Sequence, residues 1–217
     1  MKIACISDTH HKHRYIDPRL FDGVDIIVHA GDFTGNGNQA QTIAFLKWFE
    51  SLPIKHKVFI AGNHDGYCES DSFDYVRETY APSCHYLRNS SVTIEGIKFW
   101  GSPYSNTFGH WAFMEDDDDL ALIWDQIPDD TNFVITHGPA YHTADLVLNQ
   151  MYERDPHVGS ISLATKLFSL PHLKVHVTGH IHESYGIYHG DHYLTVNASI
   201  CDLNYVPFNQ PVVLNVN

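Results

Sequence analysis

Residue types that bind divalent cations occur in this 217-residue sequence in two closely spaced pairs. Asp8 and His10 are separated by one residue, and His180 and His182 share that spacing. Residues two apart in an extended chain point to the same side, so each pair can direct two ligand atoms at one ion. Either pair alone is a weak signal, because such spacings are common by chance. The pairs therefore indicate a metal site only together with donors from other segments.

Three further segments place a possible ligand next to a glycine. Asp32 follows Gly31, Asn63 follows Gly62, and His137 precedes a glycine. A glycine at such a point lets the chain turn sharply and approach a ligand closely. The candidate ligands are Asp8, His10, Asp32, Asn63, His137, His180 and His182. A structural zinc takes about four ligands, often with sulfur, whereas seven oxygen and nitrogen donors suit two divalent ions that share a carboxylate.

Each of the five segments follows a short apolar run that is typical of a buried strand. These runs cover residues 2–7, 25–30, 57–61, 132–136 and 174–178. Helical patterns lie between several of them, at residues 39–52, 72–80, 116–126 and 160–169. Alternating strands and helices predict an α/β fold, in which ligands bind beyond the carboxyl ends of the strands. Residues 91–100 and 183–196 alternate around turn signals and predict added antiparallel strands.

The overall composition excludes several functional classes. The chain carries 13 Lys and Arg against 26 Asp and Glu, a formal net charge of −13, together with 17 His. This balance disfavours a nucleic-acid binder or a polybasic membrane-surface protein. The sequence offers no membrane span, no signal peptide and no Cys-x-x-Cys pair. We expect a single domain over residues 1–217 and a reduced, cytoplasmic protein with no membrane partner.

In this order and spacing, the five motifs resemble those of the calcineurin-like metallophosphoesterase superfamily. They read Asp-x-His at residues 8–10, Gly-Asp at 31–32, Gly-Asn-His-Asp at 62–65, His-Gly-Pro at 137–139 and Gly-His-x-His at 179–182. Further segments, such as Gly-Ser-Pro-Tyr at 101–104 and Asn-Ala-Ser at 197–199, are similar to the class III cyclic-nucleotide-phosphodiesterase and metallophosphoesterase-domain-containing branch. The resemblance implies a mixed α/β fold, a four-layer sandwich of two mixed β-sheets flanked by helices.

The resemblance also implies a ligand assignment. One ion would be held by Asp8, His10, Asp32 and His182, and the second by Asp32, Asn63, His137 and His180, with Asp32 bridging. His64 would face the scissile phosphate without being a ligand. The absence of sulfur ligands and the presence of an amide suit Mn²⁺ or Fe at least as well as Zn²⁺ or Mg²⁺. After the Gly-Asp motif the protein-phosphatase branch reads on to a second Asp and an Arg, whereas this chain reads Phe-Thr-Gly-Asn at residues 33–36, which disfavours a protein phosphatase.

These observations predict a dinuclear-metal-dependent phosphoesterase that hydrolyses small phosphodiesters, such as cyclic or related nucleotides. We expect a hydroxide held between two ions to attack phosphorus in line, with Asn63 near the phosphate and His64 serving the leaving oxygen. The alternatives are a phosphomonoesterase, including a protein phosphatase, a nuclease, and a metal-stabilised scaffold without turnover. The acidic charge disfavours the nuclease, and a conspicuous non-ligand histidine disfavours the scaffold.

Two more histidines and one aromatic stretch are candidates for substrate contact. His11 follows the first motif, and His157 lies in a loop between the last two motifs, where the resemblance favours a pocket role. Phe108, His110, Trp111 and Phe113 form a dense aromatic stretch. Core packing is favoured over a nucleobase wall for this stretch, because large aromatic side chains dominate protein cores.

Overall fold

The computed structural model describes residues 1–148 and 156–216. In chain order its strands are β1 (Lys2–Ile6), β2 (Ile26–Ala30), β3 (His56–Ile60), β4 (Cys84–Tyr86), β5 (Ser90–Ile94), β6 (Ile97–Ser102), β7 (Ser105–Asn106), β8 (Met114–Glu115), β9 (Phe133–Thr136), β10 (Val175–Thr178), β11 (Gly186–His189), β12 (Leu194–Asn197) and β13 (Val212–Asn215). The helices are α1 (Gln39–Ser51), α2 (Phe73–Tyr80), α3 (Asp117–Trp124) and α4 (Ile161–Ser169). All five predicted strands and all four predicted helices are therefore present.

Two mixed sheets form the centre of the structure. The first has the order β13-β1-β2-β3-β4, with β1 to β4 parallel and β13 antiparallel at one edge. The second has the order β11-β12-β10-β9-β6-β5, with antiparallel strands at both edges. The hairpins predicted at residues 91–100 and 183–196 are confirmed as β5–β6 and β11–β12. A short pair, β7–β8, lies outside both sheets.

Side chains alternate along the strands, so each sheet presents an apolar surface on both faces. On β1, Ile3 and Cys5 belong to the core between the two sheets, whereas Ala4 and Ile6 belong to the core beneath α1 and α2. On the second sheet, Trp100 packs outward with side chains of α3 and α4. The order of layers is therefore helix, sheet, sheet, helix, which confirms the predicted four-layer sandwich.

Helices α1 and α4 each begin after a residue whose side chain caps the first turn. Asn38 precedes α1, and its side chain accepts a hydrogen bond from the main-chain N–H of Gln41 (2.9 Å). Ser160 precedes α4 and caps Leu163 in the same way (3.0 Å). Such caps satisfy main-chain donors that have no partner inside the helix. They fix the helices whose apolar faces cover the sheets.

The carboxyl ends of the two sheets meet at one edge of the sandwich. Ser7, directly after β1, pairs with Ser199, which follows β12. The main-chain N–H of Ile200 donates to the oxygen of Ser7 (2.9 Å). This junction brings the loops after β1, β2 and β3 to those after β9 and β10. Within the described residues, no helix is long and apolar enough to cross a bilayer.

The aromatic core beneath α1 generates a stability prediction. Phe45 is fully buried, and its ring stacks on Phe33 with centroids 4.1 Å apart. We expect Phe45→Ala to lower the free energy of unfolding by about 3–5 kcal/mol, because the truncation leaves a cavity. Urea denaturation in chelator-treated buffer measures the loss. Tyr75→Ala on α2, at a side chain 75% exposed, is the control and should change stability by less than about 0.5 kcal/mol. Equal effects of the two variants would contradict this assignment of the core.

Candidate metal centre

Two buried carboxylates lie at the meeting edge of the sheets, surrounded by imidazoles. Asp8 and Asp32 are 0% and 2% exposed. Asp8 Oδ1 lies 3.4 Å from His182 Nε2 and 3.8 Å from His10 Nε2. Asp32 Oδ2 lies 3.3 Å from His137 Nε2 and 3.8 Å from His10 Nε2. Asp32 therefore stands between two groups of nitrogen atoms, as a bridging carboxylate would.

Three of these histidines are oriented by main-chain carbonyl groups. Each directs Nδ1 at a carbonyl oxygen: His10 at Thr34 (3.1 Å), His137 at Ala30 (2.9 Å) and His182 at Asp202 (2.8 Å). A hydrogen bond from Nδ1–H fixes the ring and leaves Nε2 as the atom facing the carboxylates. Histidines that bind metals are held in this way, with the second ring nitrogen donating to a carbonyl or carboxylate.

The two remaining predicted ligands complete the group on the side of His137. His180 offers a ligand atom within 4.8 Å of those of Asp32 and His137. Asn63 Oδ1 lies 2.9 Å from His137 Nε2. The structure thus brings all seven predicted donors together, from five separate loops.

The main chain that carries these donors is strained. Asp8, His10, Asp32 and His180 all have positive φ angles, of 49°, 39°, 57° and 68°. Such conformations cost non-glycine residues about 1–3 kcal/mol each and are found at functional sites. Gly31, with φ of 94°, precedes Asp32, and a Cβ there would lie 2.6 Å from the carbonyl oxygen of Ala61. The sharp turn that aims Asp32 inward therefore requires glycine.

Hydroxyl groups hold the Asp8 carboxylate in one orientation. Asp8 Oδ2 accepts hydrogen bonds from Ser7 Oγ (2.5 Å) and Ser199 Oγ (2.8 Å). The Ser199 hydroxyl is also 2.8 Å from Asn197 Oδ1. These contacts leave Asp8 Oδ1 facing the imidazoles. Sequence reasoning noted the Asn-Ala-Ser segment at 197–199 but assigned it no role, because nothing in the sequence places it beside β1.

A third buried carboxylate, Asp65, ties two of the loops together. It accepts hydrogen bonds from the main-chain N–H of Gly62 (2.9 Å) and from both the N–H and the hydroxyl of Thr34 (2.8 and 2.9 Å). Burial, and next the charge of Asp32, raise its pKa to about 7. Asp65 stands in the Gly-Asn-His-Asp motif, but sequence reasoning gave it no function. Its contacts position the neighbouring Asn63 and His64.

The electrostatics of the cluster suit cations. Burial opposes ionisation of Asp8 and Asp32, but hydrogen bonds and the nearby imidazoles hold both pKa values below the usual range. Burial would lower the pKa of His137 and His182, but Asp32 and Asp8 raise these pKa values to about 9. Protons on these two imidazoles thus compensate the buried carboxylates in the metal-free protein. Divalent ions at the same positions would replace that charge, so the donor set fits two metal ions.

His64 lies beside the donor cluster. Its Nε2 is 4.0 Å from Asp32 Oδ2, and its Nδ1 is 3.0 Å from the carbonyl oxygen of Gly35. Its ring stacks on Trp111, with centroids 4.4 Å apart. The two rings line a cleft of about 190 Å³ that reaches Asp32 and Asn63. His64 therefore directs one nitrogen into an open cleft.

The aromatic stretch corrects one expectation. Phe113 is buried, but Phe108 and Trp111 are 54% and 48% exposed and both line the cleft, and His110 is also exposed. Core packing was thus the wrong expectation for most of this stretch. The reason is that the loop between β7 and β8 crosses the mouth of the cleft, held there by a hydrogen bond from the N–H of Ala112 to the oxygen of Asn63 (3.3 Å).

The two histidines proposed for substrate contact lie elsewhere. His11 packs against His13, with ring centroids 5.6 Å apart. His157 Nδ1 is 2.7 Å from Asp145 Oδ1. Neither is among the described side chains that line the cleft. Substrate contact by His11 or His157 stays a prediction.

Comparison with known proteins decides the family. Residues 1–184 match the family model described as calcineurin-like phosphoesterase. The chain belongs to this family. Metallophosphoesterase domain-containing protein 1 from Homo sapiens is 33% identical over 237 aligned residues, which cover 99% of this chain and 71% of that protein. The Mus musculus protein of the same name gives the same values. As a member of the calcineurin-like phosphoesterase family, the chain is a metal-dependent hydrolase of phosphoesters.

Solved structures share the fold at low sequence identity. The protein TT1561 of Thermus thermophilus has a TM-score of 0.61 and 14% identity, over 90% of this chain and 88% of that chain. A dimetal phosphatase from Danio rerio has a TM-score of 0.53 and 11% identity, over 91% and 86%. These likenesses show that the fold is shared.

The raised pKa values of His137 and His182 predict that metal binding releases protons. A ligand imidazole must be neutral, and both pKa values of about 9 lie above pH 7.5. Saturation with Mn²⁺ at pH 7.5 should therefore release at least about two protons per chain. Apparent metal affinity should fall as the pH is lowered from about 9 to 5. Calorimetry in buffers of different ionisation enthalpy counts the protons.

The variant His182→Ala provides the matched comparison for this experiment. It lacks one of the two protonated imidazoles, so metal binding should release about one proton fewer than in the wild type. His192→Ala, at an exposed histidine, should match the wild type. Metal binding without proton release, or with an affinity independent of pH, would contradict the assignment of these ligands.

Proposed function

We propose that this protein is a dinuclear metal-dependent phosphodiesterase acting on small phosphodiesters, with cyclic and related nucleotides as the substrate class. The observation that carries the proposal is His64, which lines the cleft and groups with possible ligand atoms of His10 and Asp32. Two divalent ions held there would neutralise charge on phosphate oxygens and would supply a hydroxide nucleophile at neutral pH. Mn²⁺ or Fe are the ions that the sulfur-free donor set favours.

The proposed ligand sets follow the two groups of side chains. Asp8, His10, Asp32 and His182 would hold one ion; Asp32, Asn63, His137 and His180 would hold the other. The shared residue is Asp32, whose Oδ2 lies between His10 and His137. Its other oxygen, Oδ1, accepts the main-chain N–H of His64 (2.8 Å). The bridging side chain thus also fixes the position of the proposed catalytic histidine.

His64 would supply the proton that the leaving group needs. Its Nδ1–H donates to the carbonyl oxygen of Gly35, so the imidazolium form carries its second proton on Nε2. As the bond from phosphorus to the leaving oxygen breaks, that oxygen takes the Nε2 proton and leaves as an alcohol. Asn63, next in the chain and on the cleft wall, would hydrogen-bond the phosphate. Trp111 covers the other side of the imidazole and keeps it facing the cleft.

The surroundings of the cleft favour a small phosphodiester over a phosphomonoester, such as a phosphorylated protein side chain, and over a polynucleotide. Phe33 and Thr34 follow Asp32, and both are buried and held by Asp65. This loop thus gives the cleft no charged side chain for the second negative charge of a phosphomonoester. The chain's formal net charge of −13 repels a polyanion, which disfavours a polynucleotide substrate. The four cysteines are buried free thiols, which supports a place in the reducing cytoplasm.

Substitution of His64 tests the proposal. We expect His64→Ala to retain both metal ions and to lower kcat for bis(p-methylphenyl)-type diesters, whose leaving groups are poor, by about 10²–10⁴-fold. The loss should be smaller for bis(p-nitrophenyl) phosphate, because a good leaving group needs less protonation. Steady-state kinetics with Mn²⁺, together with metal analysis, measure both properties.

Two controls separate the role of His64 from metal loss. Asp32→Ala should lose both ions and all activity, since it removes the shared ligand. His192→Ala should behave as the wild type, because this exposed side chain lies outside the cleft. Turnover of the poor-leaving-group diester by His64→Ala at the wild-type rate would refute the proposed role.

A further inference from the structure

A second, larger cavity opens beside the cleft. We name it the side chamber; it has a volume of about 990 Å³, and its wall includes Tyr104, Phe108, Pro139, Val147, Ile181 and Leu203. The chamber and the cleft share Phe108, His180, Glu183, Leu203 and Tyr205. The two cavities are therefore adjacent, and a molecule bound at the ligand cluster lies next to the chamber.

The walls of the side chamber suit an uncharged, aromatic or apolar group. Phe108, Leu203 and Tyr205 are 54%, 58% and 47% exposed, although they border one continuous concave surface. Exposed apolar side chains grouped in this way mark a site for a ligand, because covering them removes apolar surface from water. The polar groups among them include the neutral side chains of Ser105 and Asn106. The volume accommodates a ring system with space to spare.

A carboxylate stands where the chamber joins the cleft. Glu183 lines both cavities, and its Oε1 accepts the main-chain N–H of Leu148 (3.1 Å). It sits directly after His182 in the chain. A second anionic group on a substrate would have to pass this carboxylate, at a cost from like-charge repulsion. Glu183 thus favours substrates whose only anionic group is the phosphate at the ligand cluster.

The position of the chamber identifies which part of a diester enters it. His64 groups with His10 and Asp32, whereas His180 groups with Asp32 and His137. The chamber adjoins His180 and is not lined by His64. In the proposed function the leaving oxygen lies at His64. The ester group that remains on phosphorus is therefore the one directed toward the chamber.

We infer that the side chamber is the specificity site for the retained ester group, and that it selects an uncharged aromatic or heteroaromatic group over a small alkyl group or one bearing a second negative charge. This inference rests on the proposed phosphodiesterase function. It assigns Phe108, Leu203 and Tyr205 to recognition of the ring and Glu183 to exclusion of the second anion. A nucleoside meets these requirements, and a nucleoside diphosphate or an oligonucleotide does not.

A series of diesters with one leaving group tests the inference. The substrates are p-nitrophenyl phosphates whose retained group is methyl, phenyl or 4-carboxyphenyl. The leaving p-nitrophenolate is the same throughout, so differences in kcat/KM report the retained group. We expect the phenyl compound to exceed the methyl compound by about ten-fold or more, as burial of a ring implies. The 4-carboxyphenyl compound should fall several-fold below the phenyl compound.

Two variants place a cation inside or outside the chamber. Leu203→Arg adds a guanidinium to the chamber wall at a side chain that is 58% exposed, and it should reverse the preference for phenyl over 4-carboxyphenyl. Phe208→Arg lies in the same loop, is 78% exposed and lines neither cavity, so it is the matched control and should retain the wild-type ratio. Thermal unfolding confirms that both variants are folded.

Each outcome of this experiment decides the inference. Equal kcat/KM for the methyl and phenyl compounds overturns it. A Leu203→Arg variant that keeps the wild-type ratio of kcat/KM for phenyl over 4-carboxyphenyl also overturns it, as does a Phe208→Arg variant that reverses this ratio. Failure of the wild type with Mn²⁺ to hydrolyse any of the three diesters overturns the proposed function instead, and the assignment of the chamber falls with it. A ratio that only Leu203→Arg reverses supports the inference.

Discussion

Asp8 and Asp32 are buried at the edge where the two sheets meet, and the compensation of their charge shapes everything around them. A buried carboxylate is costly unless it is hydrogen-bonded and paired with positive charge. Ser7 and Ser199 hydrogen-bond Asp8, and the imidazoles of His137 and His182 supply positive charge. Without metal, the protein thus holds protons at the positions where we propose that divalent ions bind. In the folded protein, protonated imidazoles compensate the charge of the two buried carboxylates, and bound metal ions would compensate the same charge.

The main chain at this edge is strained because it directs side chains from several loops toward one cluster. Positive φ angles at Asp8, Asp32 and His180 aim the side chains across the gap between the sheets, a direction that an extended strand end would not give. The hydrogen bonds made by Asp65 and Thr34 hold two of these loops together. The rigid sheets underneath keep the strain from relaxing. These contacts therefore hold main-chain conformations that would be unfavourable in an isolated loop.

Strands, helices and ligand candidates followed from the sequence because they depend on local patterns. Apolar runs that end in Gly-Asp or Gly-Asn report both a buried strand and a polar turn. Ser199 and Trp111 escaped a functional assignment because their roles depend on pairings between distant segments: Ser199 meets β1 through the junction of the sheets, and Trp111 reaches His64 through a loop. The exposed position of Phe108 could not be predicted for a similar reason. Aromatic composition does not show whether a loop packs into the core or crosses the mouth of a cleft.

A crystal structure of the Mn²⁺-soaked protein decides whether two ions share Asp32. We expect two anomalous difference peaks about 3.5–4 Å apart, with an oxygen of Asp32 coordinated to each. One peak should contact Asp8, His10 and His182, and the other should contact Asn63, His137 and His180. A single peak from crystals saturated with Mn²⁺, or two peaks of which only one contacts Asp32, would show that Asp32 does not bridge two ions.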